Sequence, residues 1–226
     1  MKLLLFDIDG TLIDSGGAGK RAMNRAFEEL YGHAEILANI SLSGRTDELI
    51  LQDAFQKIEQ TPNPAAMSEY KKLYFQILRH EIEKPNAKKR VMPGITDLLP
   101  ELKHRQDIYL GLLTGNWQDS GYIKIGHFSL DSYFSFGAFS DDSNDRSELV
   151  PIAVSRFENR TEKTIAAEHV YIIGDTPRDI ECTKPHGVNS VAVAAAGYTR
   201  NDLQAYNPDF LFDDLSSTVD VLEILG

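Results

Sequence analysis

Two aspartates follow a short apolar run near the amino terminus. The run covers residues 3–6, and Asp7 and Asp9 come directly after it. Side chains two apart on an extended chain point the same way, so both carboxylates project into one space, where two like charges need a counter-ion. Gly10 allows a tight turn, and Thr11 adds a hydroxyl and an amide. This pattern predicts a site for a divalent metal and an oxyanion, although Asp-Gly pairs also form ordinary acidic turns.

Two later apolar runs also end in polar residues. Residues 108–113 end at Thr114, and residues 170–174 end at Asp175. Ligands of an open parallel sheet bind beyond the carboxyl ends of its strands, so we expect these residues to meet Asp7 at one edge. Aspartate carboxylates are hard oxygen ligands, which predicts Mg²⁺ as the cofactor. Zinc is not expected, because the six histidines show no metal-site spacing.

The elements that must position these residues predict an α/β fold. From residue 91 onward, strands alternate with helices, which is typical of a doubly wound parallel sheet with a Rossmann-like core. We predict strands at residues 3–6, 108–113, 134–139, 170–174, 190–195 and 210–212. Apolar residues at helical spacing predict three amphipathic helices between residues 15 and 86, the first closed by Gly32. We therefore predict a core of residues 1–14 and 87–226, with residues 15–86 inserted after the first strand as an α-helical cap.

Composition limits the classes of function. The chain has 226 residues and a formal net charge of -11, which argues against sequence-independent binding to nucleic acid. The single cysteine, Cys182, cannot form an internal disulfide, which favours a reducing, cytoplasmic location. We expect no membrane segment. Residues 15–21 look like a phosphate-binding P-loop, but Asp14 and Arg21 stand where a glycine and a Ser or Thr belong. We interpret these glycines as a hinge for the cap.

Three stretches resemble motifs of the haloacid dehalogenase-like hydrolases, which are mostly phosphatases. They are residues 7–11, 114–116 and 174–179. The resemblance implies a helical cap at the place found here. It implies that Asp7 attacks phosphorus and that Asp9 protonates the leaving oxygen and then activates water. It also implies a phosphate site and a metal site. The phosphate ligands would be Gly10, Thr11, Thr114, Gly115 and Asn116, and the Mg²⁺ ligands would be Asp7, Asp9, Asp175 and Asp179.

The stretch 174–179 has a second interpretation that is compatible with the first. Asp175 is placed to cap a helix, with Pro177 in the first turn.

The family's third motif usually supplies a lysine, and this chain has none in the corresponding region, residues 141–151. Arg146 is the best substitute, because a guanidinium is always charged and can hold two oxygens. The alternative is a surface partner of Asp142 or Asp145. Lys163 comes too late. In the cap, Arg45 follows a glycine at a helix start, and the resemblance implies that it faces the substrate, although a lone exposed arginine is equally consistent.

The sequence therefore predicts a magnesium-dependent phosphatase that hydrolyses a small phosphorylated metabolite through an aspartyl-phosphate. The chain looks most like the phosphoglycolate phosphatase-type branch. A sugar phosphomutase similar to β-phosphoglucomutase is the main alternative. A non-catalytic binding protein on this fold is another, and its support is the missing lysine. A dehalogenase is disfavoured, because Asp9 and a metal would have no task there. We expect no nucleic-acid or membrane partner, and a monomer or a weak homodimer.

Overall fold

A six-stranded parallel sheet positions the predicted site residues. The computed structural model describes every residue, Met1–Gly226. The strands are β1 (Lys2–Phe6), β2 (Ile13–Asp14), β3 (Arg90–Val91), β4 (Ile108–Leu113), β5 (Gly137–Ala138), β6 (Val170–Gly174), β7 (Asn189–Val193) and β8 (Phe210–Phe212). The main sheet has the order β5-β4-β1-β6-β7-β8, and all its pairings are parallel. The predicted doubly wound α/β fold is confirmed.

Nine α-helices connect these strands. They are α1 (Ala18–Tyr31), α2 (Asp47–Lys57), α3 (Pro64–Glu83), α4 (Ile95–His104), α5 (Gln118–His127), α6 (Arg146–Thr161), α7 (Pro177–Glu181), α8 (Arg200–Gln204) and α9 (Thr218–Leu225). None of them is long and apolar enough to cross a membrane.

Strand β1 lies at the centre of the sheet because its side chains are apolar on both faces. Residues 3–6 are fully buried. Leu4 and Phe6 face one layer of helices, and Leu3 and Leu5 face the other, as the two-residue period of a strand requires. β1 pairs with β4 on one side and β6 on the other, so the ends of these three strands meet. Asp7 is the first residue beyond that apolar support.

Helices α1, α2 and α3 pack on one another in a hydrophobic cluster separate from those of the sheet. The chain leaves and re-enters the core through β2 and β3, which pair antiparallel. This arrangement suits the predicted cap, and its boundaries at residues 14 and 87 stay a prediction. Gly32 ends α1 in the left-handed conformation, as expected. Gly16 and Gly17 are also left-handed and precede α1; their role as a hinge stays a prediction.

Glu81 ties α3 to α1 inside this helical unit. Its buried carboxylate pairs with Arg21 at 3.0 Å, with Arg25 at 2.8 Å and with Lys84 at 2.5 Å. Burial alone would raise the pKa of Glu81, but the hydrogen bonds from these three cations lower it to about 2. Glu81 therefore stays ionised in the folded protein well below neutral pH.

One core residue, Trp117, belongs to the hydrophobic cluster of the three cap helices. Its side chain is fully buried there, against Tyr70, Tyr74 and Phe75. The indole N–H donates to Glu48 at 3.2 Å. The cap is therefore joined to the core by packing as well as by its two connecting strands.

The structure differs from the sequence prediction in the bounds of two strands and in one additional helix. The third strand is predicted at residues 134–139, but β5 is only Gly137–Ala138. Phe134 directly follows a 3₁₀ turn at Asp131–Tyr133 and packs edge-on against Phe6. The strand predicted at residues 190–195 is found at Asn189–Val193. Helix α5 was not predicted, and it carries a residue of the site described next.

Candidate active site

Asp7 lies at the end of β1, buried against a single arginine. It is 5% exposed, and its backbone N–H donates to the carbonyl of Ile173 at 2.9 Å, which continues the ladder between β1 and β6. Arg146 Nη2 lies 3.2 Å from Asp7 Oδ1. Burial raises the pKa of Asp7 to about 6; Arg146 opposes this shift and the Asp179 carboxylate adds to it. A carboxylate held in this way has a fixed position and an incompletely compensated charge.

Asp7, Asp175 and Asp179 form a buried acidic group. One carboxylate oxygen from each lies within 4.8 Å of the other two. Burial raises the pKa of Asp175 well above its usual range, and the charges of Asp179 and Asp7 raise it further. The hydroxyl of Thr11 donates to Asp175 at 3.3 Å. Buried carboxylates that exceed the nearby positive charge fit a hard divalent cation such as Mg²⁺.

Both carboxylate oxygens of Asp179 accept hydrogen bonds. Oδ2 accepts from the backbone N–H of Thr176 at 3.0 Å and from its hydroxyl at 2.7 Å, and Oδ1 accepts from Arg146. Thr176, not Asp175, is the N-cap of α7, with Pro177 in the first turn, so the expectation that Asp175 caps this helix is wrong. The Asp175 side chain is thereby left directed at the acidic group. Asp179 supports both the helix start and Arg146.

Arg146 is the first residue of α6, and its buried side chain lies in the site. Nη2 bridges the carboxylates of Asp7 and Asp179. Two surface partners were considered in the sequence. Asp142 is instead bound by Arg156 through two contacts, at 2.6 and 2.7 Å, and Asp145 caps α6 by accepting from the Ser147 amide at 2.8 Å. Lys163 is exposed and bonds to Tyr109 at 2.5 Å. The structure thus places the Arg146 guanidinium beside Asp7 and Asp179, and its replacement of the missing lysine stays a prediction.

Asp9 is oriented away from the acidic group. Its Oδ2 accepts from Lys124 at 2.5 Å and from the Asn116 amide at 3.0 Å, and its Oδ1 accepts only from Ser15, at 3.3 Å. The Asp9 carboxylate was expected among the metal ligands, but it is not part of the group of three, because Lys124 and Asn116 hold it elsewhere. Its side chain is 41% exposed. The Asp9 carboxylate is therefore accessible from solvent.

Two glycines of the predicted phosphate site allow close contacts. Gly10 has φ +87°, and a Cβ there would lie 2.3 Å from Asp175 Oδ2. A Cβ on Gly115 would lie 2.2 Å from the carbonyl oxygen of Arg45, and the Gly115 carbonyl accepts from the Asp47 amide at 2.7 Å. Gly115 therefore lets the cap backbone approach the core, a role that is separate from phosphate binding. Thr114 accepts from the Asn116 side chain at 2.8 Å.

A cavity of about 340 Å³ lies between cap and core above these residues. Its floor includes Asp7, Asp9, Thr114, Gly115, Asn116, Lys124, Arg146 and Asp175, and its roof includes Lys20, Met23, Ser43, Arg45 and Ile50. Arg45 lines this roof, and its guanidinium pairs with Asp53 of the cap at 2.5 Å, so contact with a substrate stays a prediction. Contact of Arg45 with a substrate would require it to share or exchange that partner.

A family profile and individual relatives match this chain. The profile of haloacid dehalogenase-like hydrolases matches residues 4–193. The chain belongs to this family.

Two relatives of this haloacid dehalogenase-like hydrolase are named as phosphatases. The pyrophosphatase PpaX of Oceanobacillus iheyensis is 25% identical over 232 residues, which cover 100% of this chain and 97% of the relative. A phosphoglycolate phosphatase of Aquifex aeolicus is 25% identical over 228 residues, covering 99% and 97%. The predictions of the family and of a phosphatase-class hydrolase are confirmed.

Solved structures of similar proteins share the fold. CbbY from Rhodobacter sphaeroides, in complex with phosphate, has a TM-score of 0.73 at 19% identity and covers 96% of each chain. A Thermotoga maritima protein, provisionally named a β-phosphoglucomutase, has a TM-score of 0.65 at 20% identity and covers 99% of each.

Sequence reasoning missed two charged residues of this hydrolase, Lys124 and Asp47. Lys124 is on α5 and is 5% exposed; Asp47 begins α2 and is 7% exposed. Burial works against the charge on Lys124, but Asp9 and Asp47 outweigh it and raise the lysine's pKa. Burial raises the pKa of Asp47 to about 6, with Lys124 opposing. One feature of the sequence could have indicated that Lys124 is buried. It lies between Ile123 and Ile125, in a segment that must connect two parallel strands.

Proposed function

We propose that this protein is a magnesium-dependent phosphatase that hydrolyses a small phosphorylated metabolite through an aspartyl-phosphate on Asp7. The observation that carries the proposal is the setting of Asp7. It is buried at the end of the central strand, it is paired with Arg146, and it opens onto a cavity between cap and core. Fixed cations beside a fixed nucleophile stabilise the charge that develops on the transferring oxygens.

In the first step of this reaction, an oxygen of Asp7 attacks phosphorus as the bond from phosphorus to the leaving oxygen breaks. Asp9 gives its proton to the leaving oxygen. In the second step, a water molecule attacks the same phosphorus, Asp9 takes the proton of that water, and the bond between phosphorus and Asp7 breaks. The products are the alcohol and inorganic phosphate, and both aspartates return to their starting state.

The residues that would hold Mg²⁺ are Asp7 and Asp175, with Asp179 beside them. When bound, the ion supplies positive charge beside the transferring phosphoryl oxygens. Arg146 adds a fixed positive charge from the chain itself. The Thr114 hydroxyl and the amides of residues 115 and 116 lie at the same strand edge and are proposed to orient the phosphoryl group.

The size and charge of the cavity support a small anionic substrate. About 340 Å³ suits a metabolite of a few heavy atoms beyond its phosphate, and four of the 22 lining residues are hydrophobic. Lys20 and Arg45 add positive charge on the cap side. The relatives named as pyrophosphatase and phosphoglycolate phosphatase make inorganic pyrophosphate and 2-phosphoglycolate the first substrates to test.

Hydrolysis of p-nitrophenyl phosphate with and without Mg²⁺ tests the proposed chemistry. We expect turnover that a chelator stops and Mg²⁺ restores, and we expect Asp7→Asn to abolish it while the protein stays folded. Beryllium fluoride, as a mimic of the phosphoryl group on Asp7, should inhibit turnover in the presence of Mg²⁺, and it should bind the protein only when Mg²⁺ is present. Asp97→Asn, on the exposed start of α4, is the matched control and should keep full activity. Near-normal turnover by Asp7→Asn would contradict the proposal.

A sugar phosphomutase is the second candidate, and the similarity to a protein provisionally named a β-phosphoglucomutase favours it. A mutase would transfer the phosphoryl group back to a sugar in place of water. Incubation with β-glucose 1-phosphate separates the two functions: a phosphatase releases inorganic phosphate, and a mutase forms glucose 6-phosphate.

A further inference from the structure

Lys124 makes two short contacts with residues of the proposed reaction. Its Nζ donates to Asp9 Oδ2 at 2.5 Å and to Asn116 Oδ1 at 2.6 Å. A lysine on a helix normally extends its charge into water, because burial of an ammonium is unfavourable. Lys124 is instead buried beneath Gly19 of α1, where a Cβ would lie 3.3 Å from Nζ. Its position is therefore closely defined by both the core and the cap.

The two carboxylate oxygens of Asp9 differ in their hydrogen bonds. Oδ2 accepts from Lys124 and from the Asn116 amide, whereas Oδ1 has one long contact, to Ser15. Rotation of an aspartate carboxylate about its last bond is soft, so the two oxygens exchange easily unless one is held. Efficient proton transfer requires the correct oxygen within hydrogen-bond reach of the reacting group.

We propose that Lys124 is a positioning residue that holds Asp9 Oδ2 and so leaves Oδ1 as the oxygen that exchanges the proton. The inference rests on the proposed function, because it assigns Lys124 to the acid/base part of that reaction. The proton passes from Oδ1 to the leaving oxygen in the first step and from water to Oδ1 in the second. Lys124 keeps its own protons throughout.

The helix that carries Lys124 is itself anchored by the cap. Helix α5 has no side-chain cap of its own. The carboxylate of Asp47, the first residue of α2, accepts from the Trp117 amide at 2.9 Å and from the Ser120 hydroxyl at 3.0 Å. Asp141 of the core also binds the start of α5, because it accepts from the Gln118 amide at 2.7 Å. Docking of the cap thus adds two contacts at the start of the helix that positions Lys124. The orientation of Asp9 is coupled to cap docking through this chain of contacts.

A double-mutant cycle between Lys124 and Asp9 tests the inference with p-nitrophenyl phosphate. Lys124→Met should lower kcat by about 10- to 100-fold, as expected when an acid/base group loses its alignment. KM should change by less than about 3-fold, because Lys124 acts through Asp9 and not on substrate binding. In the Asp9→Asn background, Lys124→Met should cost less than about 3-fold more, because the carboxylate that it positions is gone. Lys163→Met is the matched control and should keep full activity.

Binding of beryllium fluoride and thermal unfolding show whether each variant keeps an intact Asp7 site. If Lys124→Met does not fold, Lys124→Gln takes its place in the cycle, since its amide is neutral and shorter. The inference would be overturned if the fold-losses in kcat from the Lys124 and Asp9 substitutions simply multiplied in the double variant. A near-normal kcat in the Lys124 variant would also overturn it. Failure of the proposed function has a different signature, namely no turnover by the unmodified protein or full turnover by Asp7→Asn.

Discussion

Replacement of Arg146 by alanine tests the part of the site that departs from the family pattern. Arg146 Nη2 lies 3.2 Å from Asp7 Oδ1. At an effective dielectric constant of about 20, the attraction between unit charges at that distance is roughly 5 kcal/mol, before the cost of burying both charges is subtracted. Loss of one aligned donor to a developing oxyanion typically costs about 2.7–4 kcal/mol, or about 10²–10³-fold in kcat. We therefore expect Arg146→Ala to lower kcat by about 10²-fold or more.

The assay is steady-state hydrolysis of p-nitrophenyl phosphate at saturating Mg²⁺. Arg146→Lys should recover part of the rate, because an ammonium keeps the charge but has a shorter stem and no planar group to bridge Asp7 and Asp179. Arg156→Ala is the matched control on the same helix. It removes a half-exposed ion pair with Asp142, and such pairs contribute about 0–1 kcal/mol to stability. Its activity should match that of the unmodified protein.

Stability separates a catalytic effect from collapse of the site. Removal of one partner from a buried ion pair usually costs about 3–5 kcal/mol. The midpoint of thermal unfolding should therefore be lower for Arg146→Ala. It should recover in part with Mg²⁺, because the ion would balance the negative charge of the same carboxylates. A folded Arg146→Ala that turns over at nearly the normal rate would refute the assignment, and Asp7 and Asp9 would keep their proposed roles.

Three further predictions concern the metal, the cap and the contact between cap and core. Asp175→Asn should raise the Mg²⁺ concentration needed for half-maximal rate, as measured by metal titration of activity. Glu81→Gln should lower the thermal midpoint at pH 7. It should also reduce the loss of stability between about pH 4.5 and 2, because the Glu81 pairing is complete above the unfolded pKa and is lost as Glu81 protonates in the folded state near 2. Gly115→Ala should raise KM and lower kcat, because its Cβ would lie 2.2 Å from the Arg45 carbonyl oxygen and displace the cap; unchanged kinetics would contradict this role.

Local signals in the sequence were enough to predict which strand ends meet at the site. An apolar run that ends in a carboxylate or hydroxyl marks a strand end, and parallel topology brings such ends together. Asp7, Thr114 and Asp175 were found at one edge for this reason. The position of Arg146 also followed from local order, because it opens the helix after the edge strand β5.

Contacts between segments distant in sequence could not be predicted in the same way. The pattern around Lys124 does not reveal that Gly19 covers it and Asp9 pairs with it. Arg45 was identified as a cation at a helix start, but its pairing with Asp53 depends on how the side chain folds back along α2. Trp117 lies in the core segment of the sequence, but its side chain packs in the hydrophobic cluster of the cap helices. This contact forms only when the cap is assembled on the core, so the sequence around Trp117 does not indicate it.

The central position of β1 has a consequence for the order in which the protein folds during synthesis. β1 leaves the ribosome before its partner strands, which begin only at Ile108 and Val170. At typical elongation rates, β1 therefore waits roughly 10 to 30 s for its second neighbour. During that time its exposed apolar edges can pair with other chains. The cap helices are synthesised before either partner strand. Early folding of the cap would therefore hold β1 next to a folded unit and limit its pairing with other chains.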